Sequence, residues 1–267
     1  MTFWNIDKKL SLVPDIALLM KETDCDILVL AETGGARVDL DTVLQQTVDR
    51  RVRHITPFGK VVHVWTTLTS KEIRNASSKD RFEAFRVQTM APEPTLMVFA
   101  HLRSKVGRAT AGEVLDTKEF AANVRAIEKR PWSVGRTIVA GDLNLWPYDD
   151  AMLLPEVLGA SASRTIVAGQ PTKRRNGSVF DRFYNPTWNL LGDASGPPGT
   201  YYWENDARGG NWYCLDQILL RAPLIQTFAL SSLHVVTSIN GRALIAPNGR
   251  PEPQWSDHLP ITFALET

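Results

Sequence analysis

The chain has 267 residues and a mass of 29.8 kDa, with 43% hydrophobic and 22% charged residues. This composition excludes a chain that is disordered over most of its length, because enough apolar material is present for a buried core. The 30 lysines and arginines nearly balance 29 aspartates and glutamates, so a strongly basic protein that coats nucleic acid is also excluded. No apolar run approaches the roughly 20 residues of a membrane span.

The N-terminus and the cysteines bear on the cellular compartment. The opening sequence, MTFWNIDKK, lacks the basic and apolar regions of a signal peptide. Two cysteines, Cys25 and Cys214, are too few for a disulfide framework, and both lie in apolar or strand-like surroundings. We therefore expect reduced, buried thiols and a cytoplasmic protein without membrane attachment.

Strands and helices alternate through the first third of the chain. Thr2 to Ile6 and the run CDILVLAET are typical of buried strands. Helices are predicted over residues 11–22, with Ser11 as the cap and Pro14 in the first turn, and over residues 39–49. The β-rich runs between residues 51 and 88 have short connections, which predicts an antiparallel meander.

The remaining chain continues the alternation. TLMVFAHL and RTIVAGDLN predict buried strands on either side of a helix over residues 113–130. The apolar stripe of this helix consists of Leu115, Phe120, Val124 and Ile127. An exposed loop is predicted over 169–181, and TYYWE, WYCLDQILLR, LHVVTSI and ITFALE predict further strands. Since neither a repeat nor a long linker is visible, we expect one α/β domain over residues 1–267, with two stacked sheets and helices outside.

Polar side chains end or follow the buried runs. They are Asn5, Glu32, His101, Asp142 and Asn144, and Ser256-Asp257-His258 precedes the final predicted strand. Polar groups at such positions carry a desolvation cost unless they are paired, bound to metal or open to a cleft. Strand ends that meet at one edge are also where sites form in layered α/β folds.

Each of these residues also has a purely structural interpretation. Asn5 could occupy a turn, Glu32 the first turn of a helix, and His101 a satisfied core position. GDLN could be a tight turn, Asp216 could pair with an arginine, and Ser256-Asp257-His258 could cap a helix. The order and spacing of the whole set favour function over these alternatives.

The ordered set Asn5, Glu32, His101, GDLN (141–144), LDQILL (215–220) and SDH (256–258) resembles the endonuclease/exonuclease/phosphatase superfamily. Deoxyribonuclease I, abasic-site endonucleases, neutral sphingomyelinases and inositol 5-phosphatases share this fold. The resemblance extends from residue 3 to residue 263. It implies a four-layer α/β sandwich, with two packed mixed or antiparallel β-sheets flanked by helices, and metal-assisted phosphoester hydrolysis.

The resemblance also implies roles for the individual residues. The metal ligands would be Asn5, Glu32 and Asp257. Mg²⁺ is the expected cofactor and Mn²⁺ the alternative, since hard cations prefer oxygen ligands. Asp142 matches the residue that orients or deprotonates the attacking water, and Asn144 would hold that water or a phosphate oxygen. Asp216 would hold His258 so that its charge stabilises the phosphorane, and His101 would contact the phosphate.

A further phosphate-binding asparagine is expected within FYNPTWNLLG (183–192). Asn185, in the Tyr-Asn-Pro turn, is preferred, and Asn189 is the alternative. His101 disfavours the abasic-endonuclease branch, because those enzymes tend to carry tyrosine at the matching position.

These expectations favour a nuclease acting on DNA or RNA, by endo- or exonucleolytic cleavage. One alternative is a phosphatase or phosphodiesterase that acts on a small or lipid phosphate. The other is a nucleic-acid-binding module of the same fold that has lost activity. We expect substrate choice to reside in the loops at 33–39, 103–113, 146–150 and 169–182.

Two basic clusters and four tryptophans each have two interpretations. The clusters are Arg50, Arg51 and Arg53, and Lys173, Arg174 and Arg175. They could be solvated surface or contacts to a phosphate backbone beside the cleft. The tryptophans are Trp146, Trp188, Trp203 and Trp212. They could pack in the core or stack on an unpaired base.

Overall fold

The computed structural model describes residues 1–34, 37–57, 59, 61–104, 110–194, 196–207 and 209–265. The helices are α1 Val13–Glu22, α2 Arg37–Thr47, α3 Thr110–Glu128, α4 Asp150–Leu153 and α5 Arg164–Gly169. The strands are β1 Thr2–Asn5, β2 Ile27–Ala31, β3 Arg53–Ile55, β4 Val62–Thr66, β5 Ile73–Lys79, β6 Phe82–Val87, β7 Thr95–His101, β8 Thr137–Asp142, β9 Ala160–Ser161, β10 Thr172–Arg175, β11 Ser178–Asp181, β12 Phe183–Tyr184, β13 Tyr201–Tyr202, β14 Trp212–Tyr213, β15 Asp216–Arg221, β16 His234–Val235, β17 Ser238–Ile239, β18 Arg242–Ala243 and β19 Ile261–Thr262.

Two large sheets organise these strands. The first sheet is 6-stranded, in the order β16-β19-β1-β2-β4-β3, and the second is 7-stranded, in the order β5-β6-β7-β8-β15-β12-β9. Strands β1 and β2 are parallel in the first sheet, as β7 and β8 are in the second. Their neighbours β19, β4, β6 and β15 run antiparallel to them, so both sheets are mixed.

The alternation of side chains along the central strands builds the layers. In β2, Val29 faces the cluster between the two sheets, whereas Leu30 faces the cluster that α1 and α2 cover. In β8, Ala140 faces the inter-sheet cluster, whereas Val139 packs in the cluster that contains Phe120 of α3. The order is therefore helices, sheet, sheet and helix, which confirms the predicted four-layer α/β sandwich.

The predicted meander over residues 51–88 is wrong. Strands β3 and β4 pair in the first sheet, whereas β5 and β6 pair in the second. The chain passes between the sheets after Thr66, where the Thr67 amide donates to the Asp26 carbonyl. An alternating pattern predicts which face of a strand is buried but not which strand it pairs with, so the sequence did not reveal this crossing.

The predicted loop over residues 169–181 contains a hairpin. Strands β10 and β11 pair around Asn176-Gly177, and both turn residues have positive φ values of 48° and 77°. Asn-Gly is the sequence signal for such a turn, because both positions need the left-handed region. The prediction of exposure is confirmed, since nearly all residues of the hairpin are exposed.

Smaller differences concern helix ends and one helix face. Ser11 lies in a short 3-10 helix, Leu10–Leu12, and no side-chain hydrogen bond caps α1 at Leu12. Pro14 occupies the first turn of α1, as predicted. Leu115 is 66% exposed, while the other members of its predicted stripe are buried. The run LHVVTSI divides into β16 and β17, which belong to different sheets.

Cys25 and Cys214 are free and buried, as the sequence predicts. Each lies in an apolar cluster, Cys25 beneath α1 and Cys214 between the sheets. In the described ranges, no helix has both the length and the apolar composition needed to cross a bilayer.

Candidate active site

The strand topology brings the predicted polar residues to one edge, between the two sheets. In the first sheet, β1 ends at Asn5 and Glu32 directly follows β2. In the second sheet, β7 ends at His101 and β8 ends at Asp142, and these two residues lie opposite each other. Strand β15 runs the other way and begins at Asp216, opposite Asp142. Residues distant in sequence thus meet because parallel strands end at the same edge.

Gly141 allows β7 and β8 to approach closely at this edge. Its φ is +145°, and a Cβ atom built there would lie 1.9 Å from the carbonyl oxygen of Ala100. Only glycine fits, because any side chain would collide with the backbone of the neighbouring strand. This close approach sets His101 beside Asp142, so the glycine of GDLN serves strand packing as well as the turn.

Asn5 joins the two sheets through its side chain. Its Nδ2 atom donates to Asp142 Oδ2 at 3.1 Å and to Glu32 Oε1 at 3.3 Å. Its Oδ1 atom accepts the Asp7 amide at 3.1 Å, which fixes the orientation of the side chain. Asn5 is therefore both a turn residue and a bridge between two carboxylates.

Glu32 has a backbone conformation that suits few residues other than glycine. Its φ is +50°, in the left-handed region, and such strain is found mostly at functional sites. Burial acts to raise the pKa of the Glu32 carboxyl, but hydrogen bonds from Lys8 and Asn5 and the charge of His101 outweigh it and lower the pKa. Lys8 Nζ lies 3.1 Å from Glu32 Oε2. Glu32 is thus held as a carboxylate.

His101 lies at the cavity edge rather than in the core. Its Nε2 atom is 3.7 Å from Glu32 Oε1 and 3.6 Å from Asp142 Oδ2. Its Nδ1 atom is buried and has no hydrogen-bond partner among the described residues. The structure therefore does not support the interpretation of His101 as a satisfied core residue, and its ring faces both carboxylates.

His258 and Asp216 form a buried ion pair. His258 Nδ1 lies 2.9 Å from Asp216 Oδ2, and the carboxylate is fully buried. Burial acts to lower the pKa of His258, but the charge and hydrogen bond of Asp216, with the charges of Asp142 and Asp257, raise it to about 10. The imidazole is therefore charged at neutral pH. Asp216 pairs with a histidine and not with an arginine.

Asp142 lies at the centre of the cluster. Its Oδ2 atom is 3.8 Å from His258 Nε2, and its Oδ1 atom accepts the Asn144 amide at 3.0 Å. Burial raises the pKa of Asp142, and the charge of Asp216 raises it further, against the opposing charges of His258 and His101. A carboxylate with a raised pKa is a stronger base than an exposed one.

The segment Ser256-Asp257-His258 is fixed to β1. Ser256 Oγ donates to the Asn5 carbonyl at 2.7 Å and accepts the His258 amide at 3.1 Å. Trp4 Nε1 donates to the His258 carbonyl at 2.9 Å. A strand follows this segment, not a helix, so its interpretation as a helix cap is wrong. Burial raises the pKa of Asp257, and the nearby charge of Asp7 adds to this effect.

These residues line a cavity of about 740 Å³. The predicted site residues in its wall are Asn5, Glu32, His101, Asp142, Asn144, Asp257 and His258. Its described wall also contains residues that sequence reasoning missed, among them Asp7, Tyr148, Tyr201 and Tyr213. Two sequence features could have indicated some of these residues. Asp7 lies two residues after Asn5, and the aromatic run TYYWE contains Tyr201.

The structure does not bring Asn185 or Asn189 into this wall. Asn185 is fully buried, its Nδ2 atom donates to Gln217 Oε1 at 2.8 Å, and its Oδ1 atom accepts the Thr187 amide at 3.0 Å. Asn189 Nδ2 donates to the Pro186 carbonyl at 2.7 Å. The hydrogen bonds of Asn185 stabilise the fold, and the geometry does not support either residue as a phosphate contact in this cavity.

Both basic clusters lie away from the cavity, near the strand ends that are opposite to the site. Arg50 forms ion pairs with Asp24 and Asp26, which precede β2. The hairpin of Lys173 and its neighbours leads into β12, whose first residue pairs with the last residue of β15, far from Asp216. Loops beside the cleft therefore do not carry these clusters. The interpretation as solvated surface fits the hairpin, whereas Arg53 of the first cluster is half-buried and donates to the Leu68 carbonyl at 2.7 Å.

The tryptophans divide between the cavity and its surroundings. Trp146 and Trp203 line the cavity, and Trp203 is 37% exposed. Trp188 contacts Tyr148, one of the cavity residues, with ring centroids 6.2 Å apart. Trp212 Nε1 donates to the Gly249 carbonyl, outside the cavity. Two of the predicted substrate loops are described only in part. Residues 35–36 of the loop at 33–39 and residues 105–109 of the loop at 103–113 lie outside the described residues.

The donor set of the cavity suits a hard divalent cation. Carboxylate and amide oxygens are the ligands such cations prefer, and Glu32, Asp257 and Asn5 supply them in the wall. Ligand atoms of Asp142, Asp216 and His258 also lie within 4.8 Å of one another. In this second group His258 Nδ1 is already paired with Asp216 Oδ2 at 2.9 Å.

Comparisons with solved structures agree with the fold. An endonuclease/exonuclease/phosphatase family protein from Leptotrichia buccalis C-1013-b matches with a TM-score of 0.60 at 14% identity, over 100% of this chain and 98% of that chain. An AP endonuclease from Archaeoglobus fulgidus matches with a TM-score of 0.58 at 10% identity, over 100% and 98% of the two chains. The 3' phosphatase NExo from Neisseria, bound to product DNA hairpin, matches with a TM-score of 0.58 at 12% identity, over 100% and 98%.

At these identities the likeness to solved structures establishes the fold alone. No curated protein matches the sequence. The family model "Endonuclease/Exonuclease/phosphatase family", in contrast, matches residues 2–258. This range includes every residue described above in the cavity wall, from Asn5 to His258. The chain therefore belongs to the endonuclease/exonuclease/phosphatase family.

Proposed function

We propose that this protein is a divalent-metal-dependent hydrolase that cleaves phosphodiester bonds in nucleic acid. The observation that carries the proposal is that the Asn5 side chain donates hydrogen bonds to both Glu32 and Asp142. These bonds hold the proposed metal ligands of the first sheet beside the proposed base of the second sheet. Family membership supports phosphoester hydrolysis as the reaction class.

Asp142 is the proposed general base. Its buried carboxylate has a raised pKa and is held by the Asn144 amide, so it can accept a proton from a water molecule that attacks phosphorus. Asn144 lies in the cavity wall, where it can orient that water or a phosphate oxygen. The backbone of Asn144 has a φ of +50°, and its Nδ2 atom donates to the Leu102 carbonyl at 3.0 Å, which fixes the side chain.

His258 is the proposed stabiliser of the transition state. The attack places additional negative charge on the phosphoryl oxygens, and a fixed, buried imidazolium can stabilise that charge. Asp216 holds the ring through Nδ1, which leaves Nε2 to face the cavity. His101, whose Nε2 atom lies 3.6 Å from Asp142 Oδ2, is a second proposed donor to a phosphoryl oxygen.

Glu32, Asn5 and Asp257 are the proposed ligands of the cation, and Mg²⁺ is the expected ion, with Mn²⁺ as the alternative. A bound divalent cation polarises the phosphoryl group and neutralises part of its charge. The three protein ligands would leave room for water and substrate, as Mg²⁺ sites commonly do. Glu32 has the lowered pKa expected of an anionic ligand.

Nucleic acid is the proposed substrate because the matching structures include an AP endonuclease and a 3' phosphatase bound to a DNA hairpin. A cavity of about 740 Å³ also suits part of a nucleic-acid chain better than a small phosphate. Hydrolysis of a small or lipid phosphate is the second candidate, and the test below separates the two.

The test is a substrate panel with purified protein and with the Asp142→Asn variant. The panel contains supercoiled plasmid, single-stranded DNA, RNA and a small phosphomonoester, each with Mg²⁺, Mn²⁺ or EDTA. We expect metal-dependent cleavage of nucleic acid that falls by about 10²- to 10⁴-fold in Asp142→Asn, the usual contribution of a general base. Release of phosphate from the small ester without cleavage of nucleic acid would support the second candidate.

A metal titration tests the ligand assignment. Glu32→Gln should need at least about 10- to 100-fold more Mg²⁺ for half-maximal activity, which is the loss seen for partners of metal ligands. Asp216→Asn is the matched control, since it removes a carboxylate from the ion pair and not from the proposed ligand set. A larger shift in metal dependence for Asp216→Asn than for Glu32→Gln would contradict the assignment.

A further inference from the structure

One wall of the cavity is aromatic. We call Trp146, Tyr148, Tyr201, Trp203 and Tyr213 the aromatic wall. All five line the same cavity as Asp142 and His258. They come from two separate parts of the chain: residues 146–148 follow the GDLN turn, and residues 201–213 form β13, β14 and their connection.

Tyr213 is the structural centre of the aromatic wall. Its ring stacks on Trp146 with centroids 5.0 Å apart and an interplanar angle of 17°. Tyr201 and Trp203 each lie 6.4 Å from it, in tilted arrangements. Its hydroxyl group donates to the buried Asp206 carboxylate, and the residue is only 9% exposed. The packing of Tyr213 holds the other rings in place.

Tyr148 and Trp203 are the exposed members of the aromatic wall. Tyr148 is 50% exposed and Trp203 is 37% exposed, although both rings border a cavity that could have buried them. A large aromatic side chain that stays open to water at the mouth of a site offers a face for a planar ligand. Isolated exposed aromatic residues are common on protein surfaces, but two exposed rings that border the same cavity indicate a binding surface.

Tyr201 connects the aromatic wall to the proposed chemistry. Its ring lies 4.6 Å from the ring of His258, with an interplanar angle of 40°. Burial and the nearby charge of Asp257 raise the pKa of Tyr201 to about 12, so its phenol stays neutral and its ring acts as a packing surface. A planar group bound to the aromatic wall would thus lie close to His258, next to the proposed site of the phosphoryl group.

The charge of the cavity wall also favours binding of a base rather than of a phosphate backbone. Of the described residues that line it, none is a lysine or an arginine, whereas Asp7, Asp149, Asp150 and Asp257 add carboxylates to those already discussed. A duplex bound by its two phosphate backbones requires many cationic contacts. A single unpaired nucleotide can instead bind through the face of its base, as stacking on aromatic rings needs no charge.

We propose that the aromatic wall is a base-stacking subsite and that the substrate presents an unpaired nucleobase next to the scissile phosphate. The inference rests on the proposed phosphodiester hydrolysis at this cavity. It specifies the substrate as single-stranded nucleic acid or an unpaired end, and it assigns Trp203 and Tyr148 as the residues that contact the base.

The experiment uses short single strands with one cleavable phosphodiester. In one strand ordinary nucleotides flank that bond, and in the other tetrahydrofuran residues without bases flank it; DNA and RNA versions with bases, and a duplex, complete the set. We expect wild-type kcat/KM to be about 5- to 150-fold higher for the base-bearing strand, the range that stacking of one base provides. Trp203→Ala should lose most of this preference, with a much larger loss on the base-bearing strand than on the base-free strand, whereas Trp203→Phe should keep most of it.

Met90→Ala is the control variant, because Met90 is 90% exposed and lies in the β6–β7 connection, away from the cavity. It should behave like the wild type on every strand. Equal cleavage of base-bearing and base-free strands by the wild type would overturn the inference. So would equal losses on both strands in Trp203→Ala, since the ring would then serve only the fold.

Binding to Asp142→Asn separates this inference from the proposed function. Fluorescence anisotropy of the labelled strands should show about 5- to 150-fold weaker binding of the base-free strand. If this difference is found but no strand is cleaved by the wild type, the subsite stands and the hydrolase proposal fails. If the wild type cleaves both strands alike and binding does not differ, the hydrolase proposal stands and the subsite fails.

Discussion

The two sheets contribute different chemistry to the edge that they share. The first sheet supplies Asn5 and Glu32, the proposed ligands of a cation. The second sheet supplies Asp142, the proposed general base, and Asp216, the partner of the His258 imidazole. Neither sheet holds a complete site, so the chemistry depends on the packing between them. The contact of Asn5 with Asp142 and that of His258 with Asp216 both cross this boundary.

Each sheet has one local backbone feature beside the shared edge. The second sheet needs close strands at Gly141, and the first tolerates a strained backbone at Glu32. Each feature can be removed by one substitution, at Gly141 or at Glu32. Changes in the His258–Asp216 pair and in the distant β10–β11 hairpin complete the comparison, in order of decreasing expected effect.

Gly141→Ala should have the largest effect. The new Cβ atom would lie 1.9 Å from the Ala100 carbonyl oxygen, so β7 and β8 must separate where His101 and Asp142 meet. We expect the free energy of unfolding to fall by at least about 3 kcal/mol, measured by urea denaturation. Gly177→Ala is the control: its φ is +77° but nothing lies within 4 Å, so it should cost only about 1 kcal/mol. Similar losses in both variants would contradict the steric role of Gly141.

His258→Gln should reduce kcat by about 10²- to 10³-fold, the usual effect of removing a group that stabilises transition-state charge. It should also change how stability depends on pH. The pKa of His258 in the folded protein, about 10, lies above the ordinary 6.5. The charged pair with Asp216 therefore contributes stability that is complete below pH 6.5 and is lost as pH rises through 10.

Urea denaturation of the metal-free wild type and His258→Gln across that pH range tests this account. The difference in stability between the two proteins should be largest at or below pH 6.5 and should shrink as the pH rises toward 10. A difference that grows with pH would mean that the imidazole is neutral in the folded protein.

The cluster of polar residues at the shared edge could be predicted from the sequence, but the role of every member could not. Asn5, Glu32 and Asp142 each end an apolar run, and strands that end together predict a shared edge, so the cluster was recognisable. Asn185 had an equally suitable residue type, yet its amide is buried against Gln217. Residue type in a turn does not tell which way a side chain points, and for that the packing of β12 on β15 was needed.

The sheet assignment of β3 to β6 and the aromatic wall were likewise beyond the sequence. A period-two pattern is satisfied in either sheet, so the passage of the chain after Thr66 leaves no trace in hydrophobicity. The tryptophans were visible, but whether Trp203 is buried depends on the distant contact with Tyr213. Local patterns predicted the elements, and long-range packing decided how they share a site.

A third prediction concerns the strained backbone of the first sheet. Glu32→Gly and Glu32→Ala both remove the carboxylate, but only glycine adopts a φ of +50° without steric cost. The Gly variant should therefore be about 1 kcal/mol more stable than the Ala variant in thermal or urea unfolding. The control pair is Glu119→Gly and Glu119→Ala in α3, where the order should reverse because glycine weakens a helix by about 1 kcal/mol. The same order at both positions would show that Glu32 is not strained.

The smallest effect is expected at the edge opposite the site. Reversing two charges of the β10–β11 hairpin, Lys173→Glu with Arg174→Glu, alters an exposed surface at the far end of β15. A strand of this length separates its ends by roughly 17 Å, well beyond the Debye length of about 8 Å at physiological salt. We therefore expect kcat/KM on single-stranded substrates to change by less than about twofold. Lys8→Glu, whose ammonium group contacts Glu32, is the matched charge reversal near the site and should change the metal dependence. A large loss in the hairpin variant alone would mean that the substrate extends across both edges of the second sheet.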